Sequence, residues 1–426
     1  MPISDTNIIR IAKQKVQSFK AGQIAKYVHQ WELLTSDPEI LDIVQGAHID
    51  FEYMPEQHVP PMSNDFSQSE TKLIDLEIEK LICKGVIKPC SKESNDFVSK
   101  IFLRPKKDGS HRLILNLKNL NETVQYHHFK MDTLHSILKL VKKDCWMAPV
   151  DLKDAYYSCP IAEEHQKYLK FFWDNQYYKF VCFPNRLSCC PRKFTKLMKL
   201  VFATLRKKGH ISAAYNDDTY LQGDTKVECQ ANIIESVHLF HSLGLVAHPD
   251  KSVFHPIQTL VILGFEIDST KMAVKLTFKK ADRLATACQN ILKSKINSIR
   301  EVARVIGYMV ASFPGVMFGP LHYRKIEKEK SQPLKQCKGD YEAKMTLTTC
   351  VKSELQWWIN LIHTAYNVIN RNSLEITVFT DASKTGWGGV TECEDRAGDN
   401  WQEIIGPPLK LKAISIFLSY WQFSTH

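Results

Sequence analysis

The sequence predicts an α+β fold, and a few observations carry that reading. Short apolar runs of strand length alternate with turn signals through most of the chain, and apolar residues recur at helical spacing between them. After Thr277 the pattern becomes mainly helical, so a mixed body, a helical middle and a short β-containing tail are expected. At 426 residues the chain is long enough to bury several cores.

Residues 1–68 read as an N-terminal extension of short amphipathic pieces, ending in Met54-Pro55 and Pro60-Pro61, where the prolines forbid a helix. From Ser69, the apolar residues Leu73, Ile74, Leu76, Ile78, Leu81 and Ile82 recur at helical spacing. Gly85 stands where a terminating glycine would, and an extended strand follows. Residues 97–103 and 112–117 read as two strands joined by Lys106-Lys107-Asp108-Gly109-Ser110, whose Asp-Gly pair is a hairpin signal. Leu134, Ile137, Leu138 and Val141 form a helix stripe, and 145–151 is a short buried strand with Asp151 at its carboxyl end. Residues 195–205 are helical, and 211–215 with 219–222 flank an Asn216-Asp217 turn as a hairpin. Residues 227–243 form a helix stopped by Gly244, 252–265 give short strands, and 271–274 suit a further hairpin strand. Helices follow over 279–296, 299–313 and 343–365, with the charged run Arg324 to Pro333 as a solvated connector. The last strand, 375–380, leads into Asp381.

Lys and Arg outnumber Asp and Glu by 56 to 46, a net charge of +10 that suits a polyanionic partner. The 12 cysteines show no C-x-x-C pair, so neither a zinc site nor a disulfide framework is readable, and reduced thiols in an intracellular protein are expected. No leader pattern or apolar run of membrane-spanning length occurs, and no membrane partner is expected.

The chemistry concentrates in Tyr215-Asn216-Asp217-Asp218 and in Asp151. A lone Asp-Asp in a polar turn is ordinarily a solvated hairpin tip. Here another carboxylate ends a separate strand, and adjacent strands would place Asp151 and Asp217 over one edge with Asp218 as a nearby spare. Such a set can hold two Mg²⁺ ions, one activating a primer 3′-hydroxyl and one neutralising a leaving pyrophosphate.

Four segments in order resemble the reverse transcriptases of the LTR-retrotransposon (gypsy-like) and DIRS-type retroelement group, over nearly the whole chain. Val98 to Asn121 resembles the fingers hairpin, Ala148 to Tyr157 the first catalytic motif, Phe183 to Phe194 the template and nucleotide motif, and Tyr215 to Asp218 the Y-x-D-D box. The resemblance implies a right-hand polymerase, with fingers and palm over 69–275 and a mainly helical thumb and connection over 276–370. A truncated ribonuclease H-like α/β fragment over 371–426 would complete the chain. It further implies an RNA-directed DNA polymerase that uses Mg²⁺, or Mn²⁺ in its place, an RNA or DNA template with primer, and dNTP.

Residue roles follow from the resemblance. Asp151, Asp217 and Asp218 would be metal ligands, and Lys251 the acid that protonates pyrophosphate. Arg112, Lys106 and Lys107 would meet the incoming triphosphate; for the two lysines, a charged hairpin tip is the other reading. Tyr156 stands at the steric gate against a ribose 2′-hydroxyl. Asp154 would lend backbone N–H groups near the triphosphate, its side chain otherwise capping the following helix. Asn185 and Arg186 belong to the template and nucleotide loop, Gly264 to the primer-grip hairpin, and Asp381 would be the leading ribonuclease H ligand.

Four departures from that pattern stand out. Arg186 replaces a glycine where backbone lies against substrate, and Asn216 replaces an apolar residue beneath the hairpin. Leu409-Lys410-Leu411-Lys412 carries lysine where the family has a metal-binding glutamate, and the sequence stops before the remaining ribonuclease H carboxylates, so ribonuclease H activity is expected to be absent. The alternative reading is a catalytically inactive relic that only binds primer-template.

Overall fold

In the computed structural model, which describes residues 5–59, 65–106, 109–369, 376–382, 387–393 and 402–406, the chain divides into two units, Met1–Ala273 and Val274–His426. In the first unit, α1 (Asp5–Gln17) and α2 (Pro38–Gly46) precede α3 (Gln68–Cys83). Helix α3 starts at a capping box: Ser67 Oγ accepts from the Glu70 N–H, and the Glu70 carboxylate accepts from the Ser67 N–H. It stops at Gly85 (φ +73), whose N–H donates to Ile82 O while Val86 N–H donates to Leu81 O, both at 2.8 Å. Strand β1 (Ile87–Cys90) follows, as the sequence pattern requires.

The hairpin expected over 97–117 is shorter than the sequence suggests: β2 (Ile101–Pro105) pairs with β3 (His111–Leu115). Residues 97–100 lie outside the pairing, and Val98 is held by the Gln57 amide instead. After α4 (Leu134–Leu140) comes β4 (Trp146–Asp151), then the hairpin of β5 (Lys170–Trp173) and β6 (Gln176–Phe180), which joins β1 in the order β1-β6-β5. Helix α5 (Cys190–Lys207) begins well before Thr195, because Pro191 supplies a pre-set φ in its first turn where a missing N–H costs nothing.

Strands β7 (Ile211–Tyr215) and β8 (Asp218–Gly223) complete a sheet in the order β4-β8-β7. Helix α6 (Lys226–Ser242), capped by a Thr225/Glu228 box, packs on it. The approach is close at Gly223, where a Cβ would lie 2.2 Å from the Cys229 nitrogen. Buried Asn232 fastens the same contact by donating to Ile211 O at 2.8 Å and Gln222 O at 3.0 Å. A further hairpin, β9 (Thr259–Ile262) and β10 (Phe265–Asp268), turns through Leu263 and Gly264, both at positive φ. Two consecutive positive φ values are the I′ geometry that matches strand twist, and glycine serves the second of them.

Residues 1–68 are not an appendage to this core. Ile24, Trp31, Ile43 and Ile49 belong to the same buried cluster as Phe194, Leu221 and Phe240. Trp31 is fully buried and its Nε1 donates to Leu243 O at 3.1 Å. Gln23 Nε2 donates to Gly244 O at 2.6 Å, and the Tyr27 ring occupies the space a Gly244 side chain would need. On α5, Arg192, Lys193 and Lys196 are met by Glu39, Asp50 and Asp37 of the N-terminal segment.

In the second unit, α7 (Phe278–Lys293), α8 (Ile299–Val310), α9 (Arg324–Gln336) and α10 (Thr349–Leu361) carry the core. The charged run from Arg324 is therefore a helix and not a connector. Its anchor is buried Ile326, while Lys325 and His322 both reach the Glu354 carboxylate, at 2.6 and 2.7 Å. Trp358 is fully buried and donates to His322 O at 3.0 Å; Trp357 stacks on the His322 ring at 3.8 Å. Strands β11 (Ile376–Ala382), β12 (Trp387–Cys393) and β13 (Gln402–Gly406) form an antiparallel sheet in which Asp381 is registered with Gly388.

Candidate active site

The register of the β4-β8-β7 sheet brings the acidic residues together. Asp151 on β4 is the direct partner of Asp218 on β8, and Tyr215 on β7 faces Asp218 from the other side. Directly opposed residues share a sheet face, so Asp218 stands beside Asp151 as its registered partner. Asp217 occupies the turn between β7 and β8, and its carbonyl accepts from Leu152 N–H at 3.3 Å.

That turn explains Asn216. Its φ is +55, in a two-residue loop between the paired Tyr215 and Asp218. Asparagine tolerates the left-handed region far better than an apolar β-branched residue would. The compromise lies in the side chain, because Asn216 Oδ1 is buried with no hydrogen-bond partner. It faces a small cavity of about 20 Å³ lined by Asp132, Thr195, Phe202 and Ala214.

Asp151 is held on both sides. Its N–H donates to Ser252 Oγ at 3.0 Å, and its carbonyl accepts from His248 N–H at 2.8 Å. Thr219 Oγ1 donates to Val150 O at 2.6 Å, locking the strand beneath. Partial burial pushes the Asp151 carboxyl up to about 6 from its ordinary 3.8; Lys251 opposes this shift, and Asp217 and Asp218 add to it. Lys251, which is exposed, therefore acts on Asp151 through its charge.

Three hard oxygen donors on one edge, one raised in pKa by burial and by its acidic neighbours, suit a divalent cation of the Mg²⁺ type. Among the described residues no three acidic, His or Cys side chains already converge on one point. Two carboxylates completed by substrate oxygens and water meet the usual Mg²⁺ requirement.

Around the acids, Tyr156 is half-buried with its ring edge-on to Phe194 at 5.3 Å, and burial, Cys190 and the Asp217 charge push its phenol well above the ordinary range. Asp154 sits at φ +48 before the short 3₁₀ turn Ala155–Ser158. Its side chain does not cap that turn, contrary to one reading of the sequence; it pairs with Lys84 Nζ at 2.7 Å. Asn185 Nδ2 donates to the Tyr157 hydroxyl at 3.3 Å, and the Arg112 charge acts on that same phenol. Lys106 is exposed near the hairpin tip, whereas Lys107 lies outside the described residues. Asp381 is placed by its backbone alone, and Lys410 and Lys412 lie outside the described residues.

Arg186 has φ +83, the conformation that glycine adopts without cost. The residue after the turn is held by Asn121, whose Nδ2 donates to Arg186 O and whose Oδ1 accepts from Ser188 N–H, both at 2.9 Å. Sequence reasoning did not single out Asn121; its signal was a polar residue at the end of the 98–121 segment. An arginine in this backbone region costs about 1 kcal/mol. Arg186→Gly should therefore raise thermal stability by roughly 0.5–1 kcal/mol, read as a higher melting temperature, whereas Arg186→Ala should give none of that gain.

Residues 104–267 match the family model described as Reverse transcriptase (RNA-dependent DNA polymerase). The chain is 23% identical over 291 residues to Polyprotein P3 of Commelina yellow mottle virus, covering 67% of this chain and 14% of that protein. It is 21% identical over 274 residues to the Transposon Tf2-3 polyprotein of Schizosaccharomyces pombe, covering 61% of this chain and 20% of that one. It thus spans a small part of the curated relatives it matches. Among solved structures, the foamy viral protease-reverse transcriptase in complex with dsDNA superposes with a TM-score of 0.67 at 17% identity, covering 88% of this chain and 76% of that chain. The same viral protein in complex with RNA/DNA hybrid gives 0.60 at 17% identity, covering 90% and 48%. The fold is that of the solved reverse transcriptase structures, and the segment that carries Asp151, Asp217 and Asp218 lies within the residues that match the reverse transcriptase model.

Proposed function

We propose that this chain is an RNA-directed DNA polymerase of a gypsy-like or DIRS-type retroelement, joining dNTP to a primer 3′-hydroxyl on an RNA or DNA template. The observation that carries it is the Asp151–Asp218 register, with Asp217 in the intervening turn, inside the segment matched by the family model. Bound Mg²⁺ would lower the pKa of the 3′-hydroxyl and neutralise the triphosphate. The protein's own part is positioning. Asp151, Asp217 and Asp218 hold negative charge at one sheet edge, and Asp151 must be deprotonated to serve. Tyr156 sets an aromatic wall beside them, suited to excluding a ribose 2′-hydroxyl, and Arg112 offers a planar guanidinium to phosphate. Lys251 is the proposed proton donor to pyrophosphate, acting from the exposed side of Asp151. Lys106 and Lys107, Asp154, Asn185 and the loop at Arg186 complete the proposed substrate contacts.

The second reading, an inactive relic that retains primer-template binding, is favoured by the positive φ of Arg186 and the unpartnered, buried Asn216 Oδ1. Incorporation of one dNTP separates the readings: binding without extension selects the relic. We further propose that ribonuclease H cleavage is absent, on the ground that lysine stands in the Leu409 to Ile414 segment where the family places a ligand. A Mg²⁺-dependent RNA cleavage lost in Asp381→Asn would overturn this.

A further inference from the structure

The β2–β3 hairpin carries a second arginine, Arg104, that the roles above do not use. Arg104 on β2 is the direct cross-strand partner of Arg112 on β3, and both are exposed. Directly opposed residues project from the same face, so the two guanidiniums stand side by side on the surface opposite Leu103 and Leu113. Like charges opposed in this way destabilise a hairpin. Among the described residues of the hairpin none is acidic, and the neighbouring pair on the same face is Phe102 with Ile114. Arg104 instead lies 5.7 Å over the Phe102 ring, two residues back on the same face, which holds its stem against the sheet. The chain leaving β3 is tied to the loop at Arg186 by Asn121, and Tyr157, which accepts from Asn185 of the same loop, also feels the Arg112 charge, so the hairpin lies beside the proposed nucleotide site.

We propose that Arg104 and Arg112 form one phosphate clamp, in which Arg104 is a second guanidinium for the incoming triphosphate or, by the same chemistry, for a template phosphate. Two planar forks side by side match adjacent phosphate groups, whose negative charge removes the repulsion the pair suffers alone. This rests on the polymerase reading for the identity of the ligand but not for the existence of the clamp.

The test uses the full chain with Arg104→Gln, Arg112→Gln and the double variant; glutamine keeps the aliphatic stem on Phe102. One arm measures the Kd of dNTP for the chain bound to primer-template with Ca²⁺ in place of Mg²⁺. The other measures primer-template Kd as a function of salt. The clamp predicts that Arg104→Gln weakens one of these by about 3- to 10-fold. It also predicts that Arg112→Gln costs less in the Arg104→Gln background than in the native chain. A change confined to dNTP assigns the triphosphate, and a reduced salt slope assigns the template backbone. No change in either arm, or strictly additive losses, would show two independent surface arginines and overturn the clamp. Both arms read binding, so they report even if the native chain incorporates no nucleotide, which would count against the polymerase reading alone.

Discussion

Asp151→Asn is expected to abolish nucleotide incorporation while making the metal-free protein more stable. Replacing the carboxylate removes a ligand for the ion that would neutralise the triphosphate, a loss expected to reach about 10³-fold or more in rate. The stability gain has a separate origin. In the folded chain the Asp151 carboxyl titrates at about 6, above its ordinary 3.8, so the folded state holds that proton more tightly than the unfolded state. Without metal, stability is therefore greatest below about pH 4 for this group and falls as pH rises through about 6. Asparagine removes that dependence. Because the group is partly solvated, the gain near pH 7 should be on the order of 1 kcal/mol. Urea denaturation at pH 4 and pH 7 with EDTA measures it, and a variant less stable than the native chain at pH 7 would contradict the electrostatic account. Added Mg²⁺ should stabilise the native chain and leave Asp151→Asn largely unmoved.

Trp31→Ala should cost roughly 3–5 kcal/mol, as large a loss as a single truncation ordinarily gives. The indole is fully buried in the cluster that includes Phe240 and Leu245, and its removal also leaves the Leu243 carbonyl without its donor. The urea midpoint should fall with little change in slope, since the same surface is exposed on unfolding. A loss under about 1 kcal/mol would mean that residues 1–68 dock loosely on the core, against the contacts of Trp31, Gln23 and Tyr27.

Much of this architecture was legible because its signals are local. The Ser67-x-x-Glu70, Thr225-x-x-Glu228 and Ser298-x-x-Glu301 boxes mark helix starts, Gly85 and Gly244 mark stops, and the Asp217 turn sits where alternating apolar residues break. What was not legible depends on distant partners. Lys170, polar by type, is buried at the head of β5 because Asp96 and the Ser91 carbonyl meet its ammonium at 2.8–3.0 Å. The charged helix from Arg324 shows only Ile326 as a buried residue, too little for periodicity to reveal, and its last turn accommodates Pro333. At the candidate site, the motif order singles out Asp151, Asp217 and Asp218, but only strand pairing reveals that Asp151 faces Asp218. The Asn121 brace and the Arg104–Arg112 pair likewise exist only once the loops and register are formed.

The most direct measurement is single-nucleotide extension of a DNA primer on an RNA template with the full chain, in Mg²⁺ and then Mn²⁺, beside Asp217→Asn. The account predicts template-directed addition of one dNTP by the native chain and none by the variant. Tight primer-template binding with no extension in either ion, or extension that survives Asp217→Asn, would contradict it.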